Sequence, residues 1–479
     1  MIKKAIANSF WSGLEVAANP LLLLIATPIF LSKLGPEQYG LWMLLNTISA
    51  IFGILTNSLK SLHIKSCSEN IELSRSGVLL SSIITLMLGV TILNLVGLLS
   101  AKTVIETISA SSAQLLSTIS LLIIAFAFTS LRAIEELLRG QLQASGLFQS
   151  SAIMSTVSFS ILVTSQLIVV FVTPSLENVL LIAFVVQLCL IPLELWFVQR
   201  VAFIEKLQPR IDFKLLRDSK LYTAWAGADS TLGYLSSQAD RYLVSFLLGL
   251  ETLAYYSVAL MVFNSSHRLG AGAVRWLFPV ANKAISAKQD FRMLYFGAQA
   301  LVVGCVCVYA SVLLLVDDVF VLWLGPELYL KTESLICAFL VLLMIDSTTL
   351  VPFSFFRGQF LSVLVKFKAV STMLNLIAMI GLASSLGAVG VIAGKALGPL
   401  VANCVGRYVI QKRVFGKFEL QSSVTFVVPP ILLALVFLAG DHVPLISFLL
   451  LFAFVAYVLV YVRPLVRLRA AKISNGWKI

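Results

Sequence analysis

The chain contains few charged residues and few of the residues that commonly perform catalysis or bind metals. Charged residues make up 12% of its 479 residues, whereas a soluble domain carries about 25%. It has three histidines and six cysteines, and the cysteines are too scattered to suggest a zinc site or a disulfide framework. A phosphate-binding loop is also missing, because Gly394-Lys395 is followed by Ala396 and the position of the first required glycine holds Val389. We therefore expect neither ATP hydrolysis nor a bound cofactor.

Apolar residues dominate the chain instead. Hydrophobic residues make up 59% of it and the mean hydropathy is +0.96, which indicates an integral membrane protein. An apolar run of about 20 residues can cross a bilayer as a helix, and we count about fourteen such runs. Their continuous apolar character excludes a barrel of alternating strands and predicts an all-α membrane fold. The predicted spans are residues 10–31, 40–62, 77–100, 115–138, 151–173, 179–198, 221–248, 255–277, 295–316, 334–353, 369–386, 388–410, 424–440 and 445–462.

Basic residues fall mainly on one side of these predicted spans. Of the 35 Lys and Arg residues, 28 belong to one set of alternate loops or to the C-terminal tail, and the opposite loops hold only Lys33, Lys102 and Lys331. Since positive loops resist translocation, this distribution predicts that both termini lie in the cytoplasm. The net charge of +12 then faces anionic membrane lipids, and we expect no nucleic acid partner.

Three short sequence matches indicate an internal duplication. The segment Trp11–Glu15 (WSGLE) returns 214 residues later as WAGAD, ending at Asp229, and LGPE, beginning at Leu34, returns at the same offset as LGLE. The tripeptide RGQ, beginning at Arg139, returns at Arg357. A duplicated unit in a chain this apolar is typical of a transporter whose substrate path lies between the two halves.

Six predicted helices per repeat leave both copies in the same orientation, as in parallel repeats. We therefore predict four parts. They are an N-terminal six-helix bundle (1–198), a cytoplasmic linker (199–220), a C-terminal six-helix bundle (221–410), and two extra helices with a basic tail (411–479).

Cations inside predicted spans are candidates for substrate binding, because each costs a few kcal/mol at the bilayer centre. Arg268 lies near the middle of the eighth span, where its guanidinium could bind phosphate oxygens or could form an ion pair with a carboxylate of the seventh span. Arg241 and Lys395 are further candidates, although Lys395 could instead extend toward the outer interface. His267 could simply form a hydrogen bond across helices, and Asp346 could pair with any of the arginines.

Three acids are candidates for ion coupling or gating. Glu15 and Asp229 occupy equivalent positions of the two repeats, so they could flank one cleft and bind a proton or cation, or each could merely orient neighbouring helices. Asp240 lies deeper in the seventh span, and a structural role is the stronger alternative there. The charged group at residues 132–136 lies near the predicted cytoplasmic end of the fourth span, where we expect a solvated cluster.

Several short motifs follow one another along most of the chain. They are LGPEQYGLW (Leu34–Trp42), DRYLV (Asp240–Val244), YYSVA (Tyr255–Ala259), Arg275 followed by Phe278–Pro279, and GAVG (Gly387–Gly390). Together they resemble the polysaccharide-exporting branch of the multidrug/oligosaccharidyl-lipid/polysaccharide (MOP) exporter superfamily.

The resemblance implies a flippase of the O-antigen (Wzx) type. Such a protein moves an oligosaccharide linked to undecaprenyl pyrophosphate from the cytoplasmic to the periplasmic leaflet of the bacterial inner membrane. The implied fold has two six-helix bundles around a central cavity, with Arg268, joined by Arg241 or Lys395, holding the phosphates. A polysaccharide polymerase and a chain-length regulator are implied as candidate partners, beside the lipid-linked oligosaccharide itself.

Other functions remain open at this stage. A cation-coupled drug exporter of the same superfamily would be expected to have a more acidic and aromatic cavity. A peptidoglycan lipid-precursor flippase would have the same fold and would likewise need cationic groups for an anionic substrate. A membrane glycosyltransferase or polymerase would need a sizeable loop outside the membrane, and the predicted outward loops are short.

Overall fold

Every regular element in the described part of the chain is a helix. The computed structural model describes residues 2–51, 53–54, 56–60, 63, 80–92, 113–202, 220–273, 292–316, 318–359, 361–401 and 412. The helices are α1 (Ile2–Ser49), α2 (Ala113–Ala144), α3 (Phe148–Val172), α4 (Leu176–Val201), α5 (Lys220–Leu248), α6 (Leu250–Ala273), α7 (Arg292–Leu315), α8 (Asp318–Leu324), α9 (Pro326–Gln359) and α10 (Leu361–Lys395). A shorter helix spans Leu80–Ile92. The prediction of an all-α fold is confirmed.

Six helical segments in the described residues are long and apolar enough to cross a membrane. They are Ala18–Ser49, Phe148–Val172, Leu176–Val201, Tyr295–Leu315, Pro326–Pro352 and Val365–Val401. Each of them overlaps one or two of the predicted spans. The two C-terminal spans, at 424–440 and 445–462, lie outside the described residues, so the count of fourteen stays a prediction.

Gly35 divides α1 into two segments that pack against each other. Its backbone has φ 79° and ψ 162°, a combination that is nearly restricted to glycine. Across this break the ring centroids of Phe30 and Trp42 lie 4.9 Å apart, and the side chains of Tyr39 and Thr27 are hydrogen-bonded. The chain therefore reverses at Gly35, between the first two predicted spans.

A second reversal, at Gly387, folds α10 back on itself. The backbone there has φ 57° and ψ −138°. Beyond it, Gly390, Gly394 and Gly398 recur every four residues and approach the earlier half of α10 closely. A Cβ on Gly394 would lie 2.5 Å from the backbone nitrogen of Met379. Small residues at this spacing allow close packing of membrane helices, which explains the glycines of this segment.

The chain divides into two compact units, Met1–Ala254 and Tyr255–Ile479. In the first unit α1 packs against α2, α3, α4 and α5, while α2, α3 and α4 pack against one another. An apolar cluster joins α2, α4 and the helix Leu80–Ile92, and in it Ile83, Leu138 and Val198 are completely buried. The repeat boundaries that the sequence predicts stay a prediction.

In the second unit α9 contacts α7, α8 and α10. Side-chain contacts join helix α6 to this group. The rings of Tyr256 and Phe339 have centroids 5.2 Å apart, and the Ser266 hydroxyl donates to the Tyr309 hydroxyl at 3.3 Å. These contacts hold α6, which carries Arg268, against α7 and α9.

Large apolar side chains are widely exposed on these helices. Phe246 is 94% exposed, Leu322 is 87% exposed and Val172 is 76% exposed. Apolar exposure on this scale is rare on soluble monomers. In a bilayer these side chains face lipid, which agrees with the membrane assignment.

Candidate functional site

Four side chains of the second unit form what we name the basic cluster: His267 and Arg268 on α6, Asp346 on α9 and Lys395 on α10. His267 Nε2 lies 3.0 Å from Asp346 Oδ2, and the charges of Arg268 and Lys395 both act on His267. Arg268 is exposed, whereas the side chains of His267 and Asp346 are 33% and 18% exposed. With two permanent cations and one carboxylate, the cluster is positive whether or not His267 is protonated.

Neighbouring side chains orient the pair of His267 and Asp346. The ring of Phe263, one helical turn earlier on α6, stacks on the imidazole with centroids 5.8 Å apart, and Phe263 also contacts Phe339 of α9. The Thr349 hydroxyl donates to Asp346 at 3.3 Å. The sequence left the partner of Asp346 open among the arginines, and the structure pairs this carboxylate with His267.

The structure brings together two of the three cations predicted to bind substrate. Arg268 and Lys395 belong to the basic cluster, whereas Arg241 lies on α5 in the first unit. Arg241 Nη1 donates to Gln238 Oε1 at 3.0 Å, and its charge acts on Tyr39 of α1. Arg241 therefore belongs to the contacts between α5 and α1, and its role in substrate binding stays a prediction.

The three acids predicted for coupling or gating have different surroundings. Asp240 is completely buried, and its Oδ1 accepts a hydrogen bond from the Arg241 amide at 2.9 Å, which favours the structural alternative. Glu15 and Asp229 belong to α1 and α5, but their side chains lie outside the described part of the structure. Their coupling role stays a prediction.

Helix α2 carries a set of ion pairs, and two of their members are buried. Arg132 pairs with Glu135, and Arg139 pairs with Glu136. Lys60 Nζ lies 3.0 Å from Glu136. Glu135 is 1% exposed and Arg139 is 7% exposed. The expectation that this group is solvated is therefore wrong for Glu135, because α2 continues past the predicted end of its span and this turn packs inside the unit.

Glu194 of α4 completes this buried network, and sequence reasoning missed it. It is 4% exposed, its Oε1 accepts a hydrogen bond from the Ser158 hydroxyl of α3, and the charge of Glu135 acts on it. Gln187, also on α4 and completely buried, donates to Glu135 at 3.2 Å. A signal did exist, since Glu194 is the single charged residue between positions 179 and 198.

The fold and these sites define a membrane protein whose bundled helices carry charged groups both in the interior and on an exposed face. The model of the polysaccharide biosynthesis protein family matches residues 5–284. Because this match covers more than half of the sequence, the chain belongs to that family. No curated protein matches it.

Solved transporter structures share the fold. The lipid II flippase MurJ in an inward closed conformation aligns with a TM-score of 0.65 and 14% identity, over 97% of this chain and 100% of that chain. An outward-facing multidrug resistance MATE family transporter of the MOP superfamily aligns at 0.58 and 15%, over 86% and 96%. A MOP superfamily transporter from Pyrococcus furiosus, described as having a binding pocket of reverse polarity, aligns at 0.54 and 16%, also over 86% and 96%. At these identities the likeness establishes a MOP transporter fold.

Proposed function

We propose that this chain is a flippase that moves an oligosaccharide linked to undecaprenyl pyrophosphate from the cytoplasmic to the periplasmic leaflet by alternating access. Membership of the polysaccharide biosynthesis protein family supports a saccharide cargo, and the MOP transporter fold supports transport. The basic cluster supports an anionic head group, and it is the observation that carries the proposal.

The basic cluster offers the chemistry that a pyrophosphate requires. The guanidinium of Arg268 stays charged and can form two parallel hydrogen bonds to phosphate oxygens. Lys395 adds a second permanent charge, and His267 adds a donor. Asp346 offsets part of this charge, which suits a transporter that must release its cargo as well as bind it.

Two other transport functions compete with this one. The likeness to the lipid II flippase supports a peptidoglycan-precursor flippase as the second candidate, since a pyrophosphate-linked precursor would meet the same basic cluster. A cation-coupled drug exporter is less well supported, because its cationic cargo would be repelled by Arg268 and Lys395. A membrane glycosyltransferase or polymerase is the least supported, because the family and the fold belong to transporters.

The proposal also includes the orientation of the chain and its surroundings. Both termini lie in the cytoplasm of a bacterial inner membrane, as the distribution of basic residues favours. Anionic lipids contact the basic loops, and a polysaccharide polymerase and a chain-length regulator are candidate partners.

The deciding experiment reconstitutes the purified chain into liposomes and measures flipping of fluorescently labelled lipid-linked cargo. Three cargoes are compared at equal protein density: an undecaprenyl-pyrophosphate oligosaccharide, lipid II and, in a separate efflux assay, a cationic dye. We expect the oligosaccharide to be flipped fastest. Preference for lipid II would favour the second candidate, and dye efflux without lipid flipping would refute the proposal.

Variants of Arg268 test whether the basic cluster takes part. Loss of a hydrogen bond to a charged group corresponds to roughly a 10-fold or larger loss of rate for Arg268→Ala, whereas Arg268→Lys should retain part of the activity. Lys33→Ala is the matched control, because Lys33 belongs to the first unit and stacks on Phe171. Equal flipping by wild type and Arg268→Ala at equal abundance would contradict the role of the cluster.

A further inference from the structure

The buried network of α2 and α4 holds acceptors that lack donors. Glu135 Oε1, Gln187 Oε1 and Glu194 Oε2 are buried and have no hydrogen-bond partner. Arg139 Nε lies 3.9 Å from Glu135 Oε1, so a small shift would satisfy that pair. Gln187 must direct its amide nitrogen to the acceptor-only carboxylate of Glu135, which leaves its own oxygen without a donor. Two acceptors, Gln187 Oε1 and Glu194 Oε2, therefore remain unmatched.

The cations of this network already face other carboxylates. Lys60, Arg132 and Arg139 each form an ion pair with Glu135 or Glu136. In the described part of the chain Glu194 makes no ion pair within 4.0 Å, and its one hydrogen-bond donor is the Ser158 hydroxyl. An ionised carboxylate that is buried, beside another carboxylate and bonded to a single neutral donor is strongly disfavoured. A neutral carboxylic acid in the same place carries no charge and does not have this energetic cost.

We propose that this network is a proton-binding site and that Glu194 is the residue that binds the proton. A proton on Glu194 Oε2 turns one of the two unmatched acceptors into a donor, and it removes the negative charge that would otherwise act against Glu135. Release of the proton adds a negative charge between α2 and α4, so proton binding changes the contacts between these two helices. Ionisable residues inside membrane bundles serve proton coupling in this way. The site goes beyond the proposed flipping activity and does not depend on the identity of the cargo.

The groups that face Glu194 come from α2 and α3. Helix α2 contributes Glu135, Arg132 and Arg139, whose charges all act on Glu194. Helix α3 contributes Ser158 and contains no charged residue. On α1 the described charged side chains are exposed, and one of them, Lys33, stacks on the far end of α3. On α4 itself, the other charged residues, Glu177 and Arg200, are also exposed. Among these described groups, Glu194 is therefore the buried carboxyl group without an ion pair, and it is the one that we expect to bind the proton.

The test uses infrared difference spectroscopy of the purified full chain in lipid nanodiscs, titrated with acid and base in the absence of cargo. A buried carboxylic acid gives a carbonyl band that shifts in heavy water and disappears when the proton leaves. We expect such a band in the wild type and its loss in Glu194→Gln. Glu177→Gln is the matched control, since Glu177 lies on the same helix but is exposed, and it should leave the band unchanged.

A second variant keeps the test valid if Glu194→Gln does not fold. Ser158→Ala removes the donor to Glu194 but keeps the carboxyl group, so the band should remain and change in frequency. Absence of a titrating band in the wild type, or its persistence in Glu194→Gln, would overturn the proposal. A carboxylate signal that responds to sodium but not to pH would also overturn it. Because no cargo is present, failure here is distinct from failure of the flipping assay.

Discussion

Gly35 and Gly249 are separated by 214 positions, and both adopt backbone angles that glycine tolerates best, with φ of 79° and 90°. Gly35 divides α1, and Gly249 separates α5 from α6. The same offset relates Trp11 to Trp225. The two glycines with positive φ are therefore related by the offset of the sequence repeat, and the duplication itself stays a prediction.

The first prediction concerns these two turns. Gly35→Ala and Gly249→Ala should each lower the free energy of unfolding by about 1–3 kcal/mol, because a Cβ is strained at these angles although nothing lies within 4 Å of it. Thermal unfolding of the purified protein in detergent, followed by tryptophan fluorescence, measures the loss. Gly381→Ala is the control, since Gly381 lies within a helix and also has open space. Equal midpoints for all three variants would show that the turns are not strained.

Gly40 should be intolerant of alanine for a different reason. A Cβ at Gly40 would collide with the backbone carbonyl oxygen of Leu250, so the second segment of α1 would have to move away from the start of α6. We expect Gly40→Ala to destabilise the protein by about 1–3 kcal/mol, as in an overpacked core. The change is measured as a lower unfolding midpoint, with Gly381→Ala again as the control. An unchanged midpoint would mean that this close approach does not occur.

The sequence predicted the helical class because apolar run length is a local property. For the same reason the predicted spans end before Gly35 and Gly387 and resume after them, where the chain reverses. The sequence failed at Glu135, because burial depends on how far α2 extends and on which helix covers that turn. It could not select His267 as the partner of Asp346, since α6 and α9 meet only after folding.

We expect the ion pairs of Arg139 to contribute to the stability of the folded protein. This side chain contacts Glu136 and Glu135 and donates to Ser155 at 2.7 Å, and it is 7% exposed. Arg139→Leu removes one of the two cations that contact each of Glu135 and Glu136 and also removes the donor to Ser155, so we expect a loss of about 1–3 kcal/mol. Arg200→Leu should cost less than about 1 kcal/mol, because Arg200 is exposed and its main contact is the face of Trp196. Chemical unfolding curves compare the two variants, and similar losses in both would contradict a buried network.

The orientation of the chain can be tested at two turns that flank α3. This helix has 25 residues, which at about 1.5 Å per residue is long enough to cross the bilayer. Green fluorescent protein inserted at Gly146 should fluoresce in the cytoplasm, and alkaline phosphatase inserted at Pro174 should be active in the periplasm. The positive-inside distribution requires this order. The opposite pattern would reverse the proposed orientation of the whole chain.

Arg268 and Asp346 should affect anion binding in opposite directions, and this can be measured without transport. With soluble pyrophosphate as the probe and the purified chain in detergent, Arg268→Ala should weaken binding by roughly 10-fold or more, as expected for a lost charge-assisted hydrogen bond. Asp346→Asn removes the carboxylate of the basic cluster and should leave the affinity equal or raise it, because less negative charge then faces the anion. Lys33→Ala should change nothing. Isothermal titration calorimetry at two salt concentrations measures all four proteins. If Asp346→Asn weakened binding as much as Arg268→Ala, the pair of His267 and Asp346 would be holding the site in shape, and the charge argument for a pyrophosphate cargo would lose its main support.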